Sequence, residues 1–205
     1  MLLRAYAAGV FPMAESRDAA ELFWVNPRMR GVFPLDGFRI SRSLRRRLLR
    51  GGFTVTADHA FAQVVAACAA RDETWINPGL ERLYHALHAR GAAHSLEVWQ
   101  DGALAGGVFG VSLGGAFFGE SMFSRRTDGS KIALAYLVDL LNRAGFVLFD
   151  TQFITPHLAS LGAVELPRSR YMERLGVALG TVADFNGPDP FPAPQDVIQR
   201  NTQTS

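Results

Sequence analysis

The chain has 205 residues, of which 48% are hydrophobic, a formal net charge of +2 and a single cysteine. Such a length and apolar fraction exclude a disordered chain and provide for one large domain, or a medium one with a small appendage. No run of 18 apolar residues is present, which excludes a membrane-spanning helix, and the lone Cys68 excludes an internal disulfide. No basic segment followed by an apolar one opens the chain, so export is not expected and a reducing cytosol is the expected home. All but one of the 21 basic residues are arginine, the exception being Lys131. Arg39, Arg42, Arg45, Arg46, Arg47 and Arg50 crowd into one segment, a local basic patch on a nearly neutral chain.

In chain order, Leu2 to Ala8 reads as a short helix stopped by Gly9, followed by the extended Val10 to Met13. Leu22 to Val25 and Gly31 to Pro34 read as two strands around the turn Asn26-Pro27-Arg28. This opening is too short for a core of its own. A helix then begins at Ser41 or Ser43, with Leu44 and Leu48 inward and the arginines outward, either as a solvated face or as a phosphate-binding one. Gly51-Gly52 ends it, and Phe53 to Thr56 reads as a strand. Asp58 is the expected cap of a helix with Phe61, Val64, Val65 and Cys68 on one face. Asn77 caps and Pro78 starts the next, with the stripe Leu80, Leu83, Tyr84 and Leu87, ending at Gly91. His85, His88 and His94 lack ligand spacing and have no cysteine or paired carboxylate beside them, so no metal site is expected.

The second half reads as a sheet. Ser95 to Gln100, the hairpin signal Asp101-Gly102, Ala103 to Val111 and Gly115 to Phe123 make three antiparallel strands. A helix over Ile132 to Ala144 and a strand over Phe146 to Phe153 follow, giving an α+β fold. In the third strand, strict alternation puts Ala116, Phe118, Glu120 and Met122 on one face. Glu120 is the anomaly there, because a carboxylate in an apolar strand needs a partner or a ligand. Arg125 to Lys131, just before the helix, is a basic loop where backbone N–H groups gather, suited to an anion. GNAT acetyltransferases hold the coenzyme A pyrophosphate at that place, but Lys131 stands where their loop has a small residue. Asp150 and Gln152, two apart on the last strand, are expected to point to one face and position an amine; the alternative is a polar pair near a strand end.

Several strings together resemble the leucyl/phenylalanyl-tRNA–protein transferase family. They include Tyr6 to Met13, Trp24 with Asn26-Pro27-Arg28, Phe38 to Leu44, Thr74-Trp75-Ile76 and His94 to Trp99. In the second half they are Gly119 to Arg125, Ser130-Lys131, Asp150-Thr151-Gln152, His157 to Ala163, Pro167-Arg168 and Tyr171. The resemblance implies a small N-terminal domain, here 1–37, a GNAT-like catalytic domain with a mostly antiparallel sheet, 38–187, and an extended tail, 188–205. It implies an enzyme that moves leucine or phenylalanine, less readily methionine, from aminoacyl-tRNA to proteins beginning with arginine or lysine. The product is an N-degron, and no metal or cofactor takes part. A coenzyme A-dependent acetyltransferase is the alternative on architecture. The expected enzyme is monomeric and makes no membrane contact.

By the same resemblance, Asp150 and Gln152 are the catalytic pair. Glu120, Trp24 and Trp75 position the aminoacyl adenosine, and Val108, Phe117, Leu134, Leu137, Leu141 and Phe149 line the side-chain pocket. Arg42, Arg45, Arg46, Arg47 and Arg50, with Arg126 and Lys131, hold tRNA phosphates without reading sequence. Val25 and Thr155 depart from the family pattern, standing where many members have tryptophan and several have asparagine.

Overall fold

In the computed structural model, which describes residues 2–188 and 191–203, the chain begins with helix α1 (Leu2–Ala7) and strands β1 (Phe11–Met13) and β2 (Phe23–Val25). The two strands expected to pair around Asn26-Pro27-Arg28 do not. Instead β2 pairs back onto β1, and β3 (Met29–Phe33), within the expected N-terminal unit, joins a seven-stranded sheet. Four successive residues of β3, from Arg30 to Phe33, are buried, and a strand buried on both faces belongs in a sheet interior.

Helix α2 (Arg42–Arg50) starts where Ser41 Oγ accepts from the Leu44 N–H at 3.2 Å. Strand β4 (Thr54–Ala57), α3 (Phe61–Ala69) and α4 (Pro78–His88) follow, α4 capped by Asn77 Oδ1 on the Leu80 N–H at 2.8 Å. Asp58 does not cap α3. Its φ of +56° turns the carboxylate to the Ser95 N–H (2.8 Å) and His94 Nδ1 (2.7 Å), and α3 starts from Ala60 without a side-chain cap.

The meander β5 (Ala93–Gln100), β6 (Ala103–Leu113) and β7 (Ala116–Ser124) leads into α5 (Gly129–Arg143) and β8 (Leu148–Gln152). Three elements not expected from the sequence come next: α6 (Pro156–Ser160), β9 (Val164–Pro167) and α7 (Arg168–Leu179). The expected extended tail is instead partly a helix, α8 (Pro194–Gln203); Asp189, Pro190, Thr204 and Ser205 of that tail lie outside the described residues. Helix α8 docks because Val197 and Ile198 are buried and Arg200 reaches the buried Asp139 of α5 at 2.5 Å.

Sheet order is β4-β5-β6-β7-β8-β3-β9, antiparallel except for the parallel pair β7–β8. This is a mostly antiparallel α+β arrangement. Tyr6, Tyr84, Tyr171 and the apolar faces of α3, α4 and α7 pack on one face of the sheet. Helices α2, α5 and α8 cover the other. A parallel pair needs a crossover, which α5 provides. Its first turn presses so close to β6 that a Cβ on Gly106 or Gly129 would meet backbone at 2.5 or 2.6 Å. No described helix is long and apolar enough to cross a membrane.

Pairing between β7 and β8 lasts for only three residues, Ala116 to Phe118 against Leu148 to Asp150. Beyond that point the strands separate. The candidate site occupies the resulting gap.

Candidate active site

Glu120 sits at an irregularity in β7. Gly110 pairs with Gly119 and Phe109 with Ser121, so Glu120 has no opposite number on β6. A bulge of this kind shifts the alternation by one residue. Phe118 and Phe123 therefore belong to one core layer while Phe117 and Met122 pack with the other, and the single face expected for Ala116, Phe118, Glu120 and Met122 does not exist. The bulge frees Glu120 to accept from Tyr6 OH (2.6 Å), Tyr84 OH (2.8 Å) and Gln152 Nε2 (3.1 Å). Burial pushes its carboxyl up to about 7, although those three donors pull the other way. Burial likewise drives the Tyr6 and Tyr84 hydroxyls well above their usual range, so both remain donors at neutral pH.

Asp150 is fully buried, and its two oxygens are saturated. Arg30 gives Nε at 2.9 and 3.1 Å and Nη2 at 2.7 Å, Tyr171 OH donates at 2.7 Å, and the Gln152 backbone N–H at 2.7 Å. Arg30 is itself held by the Gly9 carbonyl (3.1 Å) and between the rings of Phe11 and Tyr171, 4.5 and 4.6 Å from its Cζ. Burial alone would lower the Arg30 guanidinium; the Asp150 carboxylate, with Tyr171 and Glu120, more than compensates and holds it above its usual value.

The expected side-by-side pair of Asp150 and Gln152 side chains is not formed. Gln152 has φ +64°, and the Phe153 N–H bonds back to the Thr151 carbonyl at 2.7 Å, so a tight three-residue turn breaks the strand at Gln152. Gly31 opposite makes this possible, since a Cβ there would meet the Phe153 backbone at 2.7 Å. As a result Asp150 grips the backbone of Gln152 while the Gln152 amide goes to Glu120. Among the described residues no donor reaches Gln152 Oε1.

A cavity of about 330 Å³ fills the gap between β7 and β8, and its size is that of a small-molecule pocket. Of the residues expected around the donor, Trp75, Val108, Glu120, Leu134 and Phe149 line it. Phe117, Leu137 and Leu141 do not; they are buried behind the wall, with the Phe117 ring against that of Phe149 at 5.6 Å. Trp24 lies outside it on β2, 44% exposed. Neither Asp150 nor Gln152 lines the cavity; Glu120 stands between the Gln152 amide and the open space. Met122, Thr151, Phe153, Thr155, His157 and Leu158 line it as well, none of them given a place in the pocket by the sequence reading, the last three from the cap and first turn of α6.

On the outer surface, Arg42, Arg45, Arg46 and Arg50 project from α2 into solvent, with no carboxylate partner among the described residues. Arg47 turns inward, giving Nη1 to the Gly51 carbonyl at 2.7 Å with its Cζ 5.3 Å from the Phe53 ring. Lys131 is paired with Asp128 at 2.8 Å, whereas Arg126 is exposed in the same loop. That loop follows the end of β7, the strand that carries Glu120.

Arg30, Tyr6, Tyr84 and Tyr171 escaped assignment to the site. Arg30 carried a usable signal, for it adjoins Gly31-Val32-Phe33 just as Glu120 adjoins apolar neighbours. The tyrosines carried none, because a tyrosine on an apolar stripe reads as core.

A family model described as leucyl/phenylalanyl-tRNA protein transferase matches residues 32–176, and one for the N-terminal domain of that protein matches residues 1–28. A leucyl/phenylalanyl-tRNA–protein transferase of Cereibacter sphaeroides (strain ATCC 17025 / ATH 2.4.3) is 64% identical over 205 residues, covering 100% of this chain and 96% of that protein. One from Ruegeria sp. (strain TM1040) is 63% identical, covering 100% and 97%. Among solved structures, FemX superposes with a TM-score of 0.55 at 15% identity, over 81% of this chain and 66% of that one, a likeness of fold.

Proposed function

The chain belongs to the leucyl/phenylalanyl-tRNA–protein transferase family and is an aminoacyltransferase from tRNA to protein, and on that premise we propose its substrates and the roles of its residues. The donor is leucyl- or phenylalanyl-tRNA, less readily methionyl-tRNA, and the acceptor is the α-amino group of a protein beginning with arginine or lysine. The product is an N-degron for regulated proteolysis. The enzyme works as a cytosolic monomer without metal or cofactor.

The observation that carries this reading is the apolar cavity that opens between β7 and β8 and has a buried, hydrogen-bonded carboxylate, Glu120, in its wall. Val108, Leu134 and Phe149 would take the leucine or phenylalanine side chain, and Trp75 would face the adenosine, with Trp24 farther out. An aminoacyl ester is already activated, so no covalent enzyme intermediate is needed. The site has to hold the ester, orient the amine and stabilise the oxyanion. Gln152 orients the amine through Oε1. Its backbone is fixed by Asp150 and its amide by Glu120, while Arg30 and Tyr171 hold the Asp150 side chain in place. A second crevice shares Trp75 with the cavity and is bordered by Glu15, Asp18, Asp72 and Glu73 with Arg17 among them, a net negative charge that suits a basic acceptor residue. The exposed arginines of α2 and Arg126 would carry the acceptor stem by its phosphates. Coenzyme A-dependent acetylation is not favoured, since the full-length relatives bear the transferase name.

The test is transfer of labelled leucine or phenylalanine from charged tRNA to peptides beginning with Arg, Ala or Asp. Transfer to the Arg peptide alone is expected. Absence of transfer from a folded protein, or transfer indifferent to the first residue, would overturn the reading.

A further inference from the structure

The tRNA-dependent reaction has two proton tasks: a proton must leave the attacking amine and one must reach the departing ribose oxygen. The groups already described are poorly placed for either. Asp150 has no exposed surface, and both its oxygens are occupied by Arg30, Tyr171 and the Gln152 N–H. Glu120 gives its two oxygens to Tyr6, Tyr84 and Gln152. An amide such as Gln152 orients a proton but does not hold one at neutral pH. Arg71 on the cavity rim donates to the Met122 carbonyl, and a guanidinium has no acceptor atom to offer the amine proton.

One titratable group on the cavity wall remains uncommitted. His157 lines the cavity beside Thr151, Thr155 and Trp75, at the mouth where α6 folds over it. Its imidazole makes no hydrogen bond with the described residues. Its place is fixed by the backbone: Thr155 Oγ1 caps α6 by accepting from the Leu158 N–H at 3.2 Å, and Ser160 Oγ donates to the His157 carbonyl at 2.7 Å. The charged groups around it are Lys131 from α5, Glu120 from β7 and Arg71 from the segment after α3.

We propose that His157 is a catalytic residue of this reaction, the base that carries the amine proton to the leaving 3′-oxygen of the tRNA. This rests on reading the cavity as the aminoacyl-ester site. Attack by the neutral α-amine forms the C–N bond and leaves a protonated nitrogen beside the oxyanion; the imidazole takes that proton. Collapse of the oxyanion restores the carbonyl and breaks the bond to the ribose oxygen, to which the imidazolium returns the same proton. The products are the extended protein and tRNA with a free 3′-hydroxyl, and the imidazole ends neutral, as it began. Burial, and then the charge of Lys131, hold His157 below its usual value, which keeps the accepting form dominant at neutral pH.

His157→Ala and His157→Gln are compared with the unaltered chain in single-turnover transfer of leucine from charged tRNA to an Arg peptide. The loss expected is about 100-fold or more in rate, with tRNA affinity by filter binding within about twofold. Two readouts separate proton transfer from mere support of the loop. Added imidazole should restore part of the rate in His157→Ala, and in His157→Gln the acid limb of the kcat/KM profile should lose the step that belongs to His157 and keep only that of the substrate's α-amine. A rate within about threefold of the unaltered chain would overturn the proposal, as would a loss matched by weaker tRNA binding, or an unchanged acid limb without rescue. If the unaltered chain itself transfers nothing to the Arg peptide, the reading of the cavity fails first, and the proposal with it.

Discussion

The Arg30–Asp150 pair offers the sharpest test of how the site is held. In Arg30→Met the guanidinium is replaced by an apolar chain of similar reach. Asp150 then loses contacts of 2.9, 3.1 and 2.7 Å and keeps only Tyr171 and the Gln152 N–H, at 0% exposure. Arg30 is itself 1% exposed, so water has little access to replace it. Breaking a buried pair from one side costs about 3–5 kcal/mol, because the remaining charge is left uncompensated. The whole fold is worth only about 5–15 kcal/mol. With a urea slope of about 2 kcal/mol/M, the unfolding midpoint followed by circular dichroism should fall by about 1.5–2.5 M. Asp150→Asn strands the Arg30 charge in the same way. The double variant Arg30→Met with Asp150→Asn leaves no unpaired charge, so it should be more stable than the sum of the single losses predicts, by about 2 kcal/mol. Additivity to within about 0.5 kcal/mol would refute the account, because it would mean that the two groups do not see each other.

Glu120 should leave a signature in the pH dependence of stability. Its folded value of about 7 lies above the ordinary 4.5, so the unfolded chain gives up the proton first and stability should fall as pH rises from about 4.5 to about 7. Glu120→Gln should flatten that fall in urea midpoints measured across the window; an unchanged slope would place its cause elsewhere. Val108→Phe fills the cavity and should depress phenylalanine transfer at least about tenfold more than leucine transfer, read as the ratio of kcat/KM values. Arg42, Arg45 and Arg46 changed together to Ala should weaken tRNA binding and reduce the slope of log affinity against log salt by up to about 0.7–0.9 per residue. The transfer rate at saturating tRNA should stay unchanged, and a lowered saturated rate would move these arginines into the chemistry.

Much of this protein was legible without coordinates, and the reasons are local. The hairpin signal Asp101-Gly102 and the alternating runs beside it fix β5 and β6, because turn chemistry and a period of two are properties of neighbouring residues. Ser41 and Asn77 announced their helices for the same reason. Glu120 stood out because an acid in an apolar strand is costly anywhere, whatever surrounds it. The segment from Pro156 to Leu179 contributed strings to the resemblance but no predicted elements; α6 and β9, at five and four residues, are too short for a period to show.

Tertiary structure decided the rest, wherever the determining contact comes from a distant part of the chain. Tyr6 reaches Glu120 across 114 positions and Arg30 reaches Asp150 across 120, separations at which no spacing rule operates. The bulge at Glu120 overturned a reading of alternation, and the left-handed turn at Gln152 sends its amide to Glu120 rather than to Asp150. Each exists because a neighbouring strand accommodates it: β6 leaves Glu120 without an opposite number, and Gly31 leaves room beside Gln152. Composition and periodicity determined that this chain folds as an antiparallel sheet with a misplaced acid in it. Only the separation of β7 from β8 decided that the acid would face a cavity, because that depends on how far two strands stay paired.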